Sequence, residues 1–197
     1  MNHESYSDPY IAGILGDAKT IAMVGASAVT NRPSYFAMKY LLGKGYRVMP
    51  VNPTLTGKEI LGQRVYGSLA EVPAPVDIVD IFRNSAAALE VTREAIRLKD
   101  ALGIKVIWMQ LGVRNDAAAV KAEVAGIKVV MNRCPKIEYG RLSSEISWIG
   151  VNSRTLSSKR APLLGKGVQR MSLNRQTMSG GTTDATNRAE RDKDSGT

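Results

Sequence analysis

TIAMVGASAVTNRPSYFAMKYLL, residues 20–42, decides the fold. Thr20–Gly25 is a short apolar run of strand character, and Ser34–Leu42 carries helical periodicity closed by Gly43. A strand, a turn and a helix in that order form the phosphate-binding corner of nucleotide folds. A nicotinamide fingerprint would read G-x-G-x-x-G, the second glycine admitting the pyrophosphate and the third letting helix pack on strand. Here Gly25 is present, Ser27 stands at the second position and no third glycine follows. The acidic residue expected after the second strand, to bind a ribose hydroxyl, is absent too, because that strand runs into Val51-Asn52-Pro53. What the turn offers instead is Arg32, Pro33 and Ser34. Proline fits the first helical turn, where a missing N–H costs nothing. Ser34 can cap the helix or reach an anion, and Arg32 adds a planar cationic fork at the positive end of the helix. The turn suits a phosphate-rich ligand that needs more cationic help than NAD.

Working outward, apolar runs recur at Tyr46–Val51, Val76–Phe82, Ile104–Gln110 and Ile127–Asn132. Helical patterns separate them at Ser85–Leu102 and Asp116–Ala125, each stopped by a glycine, Gly103 or Gly126. Ser85 is the expected N-cap of the longer helix. A further short strand is expected around Arg64–Tyr66, and a covering helix over Asp8–Ala18. This alternation predicts an α/β fold, a doubly wound, mainly parallel sheet with helices on both faces. The simplest order of six strands is 3-2-1-4-5-6, with the ligand crevice at the carboxyl ends of strands one and four. Gly25–Ser27 and Phe82–Asn84 stand there.

The composition is that of a globular chain, 44% hydrophobic and 23% charged. No apolar run approaches the ~20 residues that span a bilayer, and the polar amino terminus lacks the pattern of a signal peptide. One cysteine, Cys134, cannot form an internal disulfide, which agrees with a reducing, cytoplasmic location. Of the net charge of +9, residues 151–197 hold nine Lys/Arg against four Asp/Glu. That segment has too few apolar residues for a core, and its last stretch is expected to be disordered. The chain therefore divides into a domain over 1–150 and a basic extension over 151–197. A basic tail can meet nucleic acid phosphates, but this one has no aromatic residue for stacking, so nucleic acid is the weaker partner. Its Met171, Leu173 and Met178 leave a homo-oligomer open.

An ordered series of motifs gives these readings a family. VGAS and RPSYFAMKYL, then GYRVMPVNPT, ILGQRVYGSL, VDIVDIFR, VIWMQLG and NRCPKIE together resemble the free-standing coenzyme A-binding proteins. Those are small relatives of the CoA-binding domain in the succinyl-CoA synthetase α subunit, and the resemblance covers roughly residues 15–148. It implies a Rossmann-like domain holding coenzyme A or an acyl-CoA across the strand ends. The phosphates would lie by Gly25, Ala26, Ser27, Arg32, Pro33 and Ser34. The adenosine portion would lie near Asn52, Pro53, Phe82 and Arg83, and Gln110 ends strand five nearby. The synthetases work through a phosphorylated histidine on a second domain. This chain has one histidine, His3, in an amino-terminal segment expected to be loose, so it cannot run that step alone.

Other candidates carry less. Tyr35 and Lys39 share a helical face as in short-chain dehydrogenases, but on the wrong helix, so a core tyrosine and a solvated lysine are the simpler account. Arg83 either meets ligand or pairs with Asp77 or Asp80. Gln110 either presents its amide to ligand or caps a loop. Trp108 reads as core. Cys134 has no base beside it to activate a thiolate, and Glu138 and Glu145 are too isolated to pair. No metal-ligand spacing is present. The reading is a CoA-binding protein without independent catalysis, a carrier, sensor or subunit. The alternatives are an NAD(P)-dependent oxidoreductase or epimerase, lacking a visible substrate domain, and an interaction protein acting through its tail.

Overall fold

A computed structural model describes residues 1–143. Glu145 and the 151–197 extension lie outside the described residues. Five parallel strands form the sheet: β1 (Thr20–Val24), β2 (Arg47–Val51), β5 (Ile78–Ile81), β6 (Val106–Met109) and β7 (Lys128–Val130), ordered β2-β1-β5-β6-β7. A two-stranded antiparallel ribbon, β3 (Glu59–Ile60) and β4 (Gln63–Arg64), follows β2. The helices are α1 (Asp8–Asp17), α2 (Pro33–Gly43), α3 (Ser85–Arg97), α4 (Lys99–Leu102), α5 (Asp116–Val124) and α6 (Pro135–Leu142).

Strand alternation sorts the sheet's side chains onto two cores. Val79, Ile81, Ile107 and Val129 meet the small faces of α3 and α5, built from Ala88, Ala95, Ala118 and Ala122. Ile21, Met23, Ile78 and Trp108 face the other way, toward Ile11 and Ile14 of α1 and Met38 and Leu41 of α2. Both faces being covered explains why the strands read as continuous apolar runs.

The sheet departs from expectation at one edge. The sixth strand shrinks to a single parallel bridge between Val51 and Tyr66, where Tyr66 N–H donates to Pro50 O and Asn52 N–H donates to Tyr66 O, both at 2.9 Å. The next rung would need an N–H from Pro50, which has none, and the chain around Arg64 pairs with Glu59 instead. The order of the remaining strands still reverses beside β1, so the crevice stays where expected.

Four local differences matter. The long helix breaks at Leu98, where no Gly or Pro marks the break. Its N-cap is Asn84, whose Oδ1 accepts from Ala87 N–H at 2.9 Å, while Ser85 Oγ accepts from Arg114 N–H at 3.0 Å. Gly43 is the last residue of α2, and the left-handed conformation falls on Gly45. His3 is tucked in rather than loose: its Nδ1 lies 2.9 Å from Tyr6 Oη and its Nε2 3.3 Å from Glu123 Oε1. Tyr6 Oη accepts from Met131 N–H at 2.7 Å, which fastens the amino-terminal segment to the end of β7.

Candidate functional site

The carboxyl ends of β1, β5 and β6 open into a cleft of about 1040 Å³. Its base is the turn after β1. Gly25 has φ +90°, and a side chain there would come within 2.9 Å of Phe82 O, so only glycine lets the turn lie against the end of β5. Gly25 N–H donates to Val51 O at 2.9 Å. Asn52 finishes the anchorage: its Nδ2 donates to Ala26 O at 2.8 Å, and its Oδ1 accepts from Thr54 N–H and Thr54 Oγ1. The side chain expected near a ligand is thus occupied in shaping the turn.

Helix α2 points its amino terminus into the cleft. Arg32 is its N-cap with no side-chain capping bond, and Pro33 opens the first turn. The Arg32 side chain is exposed and makes no hydrogen bond or ion pair with a described residue. The helix N–H groups near it therefore lack the side-chain acceptor that usually closes such an end. Ser34, buried just inside, makes no side-chain hydrogen bond with a described residue either.

Arg83 is exposed and equally unpaired. The ion pair weighed for it does not form. Asp77 lies at the other end of β5, where its Oδ1 takes Lys105 Nζ at 2.7 Å and its Oδ2 accepts from Lys19 N–H at 2.8 Å. Burial alone would raise the Asp77 carboxyl, but those bonds and Thr20 outweigh it and hold it at about 2. Asp80 is fully buried and faces Gln110, whose Nε2 donates to both carboxylate oxygens at 2.9 and 3.1 Å. Burial pushes Asp80 up to about 7, with the Gln110 bond pulling the other way.

Ten of the eleven expected site residues line this cleft: Gly25, Ala26, Ser27, Arg32, Pro33, Ser34, Asn52, Phe82, Arg83 and Gln110. Pro53 does not; it is exposed and starts a 3-10 turn beside the cleft-lining Asn52. The far wall is built from residues outside the expected site set. Cys134, Lys136 and Ile137 come from the start of α6, a helix whose only sequence signal is Pro135 at its first position. Burial pushes the Cys134 thiol up, away from thiolate formation. Val29, Phe36 and Leu111 add half-exposed apolar surface at the rim. Tyr35 and Lys39 are not among the lining residues, and Trp108 is core, its Nε1 donating to Arg133 O at 2.8 Å. Glu138 is held by Arg141 at 2.8 and 3.1 Å. No described helix is long and apolar enough to cross a membrane.

The family model described as a CoA binding domain matches residues 19–140, which span the whole sheet and the cleft. The chain belongs to the CoA-binding domain family. A relative in the family, the uncharacterized protein YneT of Bacillus subtilis, is 36% identical over 129 residues, covering 66% of this chain and 91% of YneT. A hypothetical protein from Pyrococcus horikoshii is 39% identical, with a TM-score of 0.64 over 70% of this chain and 92% of that one. The dinucleotide-forming acetyl-coenzyme A synthetase 1 of Ca. Korarchaeum cryptofilum is 25% identical, with a TM-score of 0.51. This chain corresponds to 27% of the length of that enzyme and so matches only a part of it.

Proposed function

We propose that the cleft binds coenzyme A or an acyl-CoA, and that the protein serves as a carrier, sensor or subunit without catalysing a reaction by itself. The diphosphate lies across the turn from Gly25 to Ser34, with Arg32 as its charged clamp and Arg83 as a secondary contact. The observation that carries this is the pairing of two unsatisfied arginines with an uncapped helix amino terminus around one cleft. Oriented N–H groups and a helix dipole favour an anion at that point, and a guanidinium adds a two-pronged bond to phosphate. Membership of the CoA-binding family supplies the ligand class.

The absence of a catalytic step rests on the same residues. Cys134 is held as a thiol by burial, His3 is engaged with Tyr6 away from the cleft, and Asp80 is turned to Gln110. None forms a nucleophile–base pair of the kind acyl transfer requires. The missing second and third glycines speak against NAD in the same turn.

A thermal-shift comparison of CoA, acetyl-CoA, NAD and NADP at equal concentration tests the reading. A ligand at a hundred times its dissociation constant adds ~2.7 kcal/mol of stability. A shift with the CoA species alone is expected. A shift with NAD or NADP alone would overturn it.

A further inference from the structure

Asp80 is a carboxylate sealed in the middle of the sheet without a cation. Its neighbours in register are Met23 of β1 and Trp108 of β6, and α2 covers that face with Ala37, Met38 and Leu41. Trp108 Nε1 is committed to Arg133 O, and the Arg133 guanidinium faces the Tyr6 ring and Glu138 instead. The polar groups left to face Asp80 are the Gln110 amide and the Cys134 thiol, which Asp80 pushes further up. An ionised carboxylate can only accept, so the amide must offer it Nε2. Oε1 is then turned away. It accepts from no described residue, and buried, unpartnered side-chain atoms are confined to His3 and Thr92 among the described residues. Since Gln110 lines the cleft, Oε1 opens into it.

Building on the CoA-binding reading, we propose that Asp80 is a positioning residue: it fixes Gln110 with its carbonyl oxygen toward the cleft, so that the floor selects a ligand bearing an N–H or S–H donor there, as the pantetheine arm of CoA does. Once protonated, Asp80 can donate to Oε1, and the amide is free to invert and present its NH₂ group. The floor then offers a donor where the arm needs an acceptor. Burial places this change near neutral pH.

The test is calorimetric titration of the full chain and of Asp80→Asn with CoA between about pH 6 and pH 8.5. The phosphates of CoA titrate identically in both experiments, so the ratio of the two dissociation constants is the readout. Wild type should bind CoA about five- to tenfold more tightly than Asp80→Asn at the alkaline end, the worth of one hydrogen bond. The advantage should vanish at the acid end. A ratio that does not change with pH overturns the proposal. Carboxyl NMR of Asp80 in the wild-type chain gives a second reading that needs no variant. Linkage requires saturating CoA to lower its titration midpoint, and an unmoved midpoint overturns the proposal as well. If wild type binds no CoA at any pH, the CoA-binding reading falls and takes this one with it. Binding with a flat ratio removes only the role of Asp80.

Discussion

Two aspartates three positions apart, Asp77 just before β5 and Asp80 within it, live in opposite chemical worlds. Asp77, at the amino end, accepts from Lys19 N–H, Thr20 N–H, Thr20 Oγ1 and Lys105 Nζ, all within 3.0 Å. Asp80, toward the carboxyl end, has one partner, the Gln110 amide. The first is held at about 2 and the second is pushed to about 7. The difference follows from what each end of the sheet is for. At the amino ends the polar groups close on one another and stitch β1, β5 and β6 together. At the carboxyl ends the Arg32, Ser34 and Arg83 side chains and the Gln110 oxygen have no partner among the described residues. A fold leaves polar groups open where something else is to satisfy them.

The strongest way to break this contrast is at Gly25. Gly25→Ala puts a methyl group within 2.9 Å of Phe82 O at a φ of +90°. Strain and clash together should cost about 3 to 5 kcal/mol, and the CoA-induced thermal shift should disappear. Denaturant unfolding checks the first and a CoA titration the second. Unchanged stability would mean that the turn does not need to lie against β5.

Next in size come the two aspartates, whose pH dependences have opposite signs. The Asp77 carboxyl is lowered on folding, so its stabilisation is complete above 3.8 and is lost as pH falls through about 2. Asp77→Asn should therefore cost about 2 kcal/mol at neutral pH and leave the acid limb shallower, with CoA affinity unchanged. The Asp80 carboxyl is raised on folding, so it destabilises increasingly as pH climbs from 3.8 to about 7 and levels off above. The full displacement corresponds to at most about 4 kcal/mol, and an asparagine gives up part of the Gln110 bonding. Asp80→Asn should gain about 1 to 2 kcal/mol at pH 8 and nothing at pH 4. Urea midpoints at pH 8 and pH 4 read the Asp80 effect, and a third point at about pH 2 reads the Asp77 effect. Equal slopes in the two variants would erase the contrast between the ends of β5.

The sequence disclosed the carboxyl-end cleft far better than its far wall. The β1 turn was legible because Gly25, Arg32, Pro33 and Ser34 are local signals, each with a mechanical reason at its place in a strand–turn–helix. The wall from Cys134 to Ile137 was not, since α6 has only eight residues and a weak apolar stripe, and Pro135 alone does not announce a helix. Adjacency in sequence also hid that Asn52 and Pro53 part company: Asn52 turns its amide back to Ala26 and lines the cleft, while Pro53 starts a 3-10 turn and does not line it. The bond between Asp80 and Gln110 joins two strands that are neighbours only in the folded sheet, and no window along the chain contains both. The sixth strand failed on one missing N–H, at Pro50, whose edge-facing position only the pairing reveals.

The smallest effects should separate affinity from stability at the open end. The Arg32 and Arg83 side chains are exposed and bond to no described residue, so truncating either leaves no orphaned partner. Arg32→Ala should change the melting temperature of the free protein by less than about 1 °C, and Arg83→Ala should behave alike. Their effects on CoA should differ. On the proposed reading the Arg32 guanidinium and the amino end of α2 share one phosphate, so a charge-assisted bond lost there should weaken CoA about tenfold. Arg83 follows β5 with its Cδ packed against Gly25 and is not part of the helix end; its loss should cost about threefold, within the range of solvent-screened charge contacts. Both losses should shrink at high salt, Arg83→Ala first, because exposed pairs are screened more than those at a helix end. Calorimetry at two salt concentrations measures all four quantities. If Arg83→Ala weakens CoA as much as Arg32→Ala does, the phosphates rest on the turn around Gly25 as much as on the helix end, and the clamp belongs to both arginines.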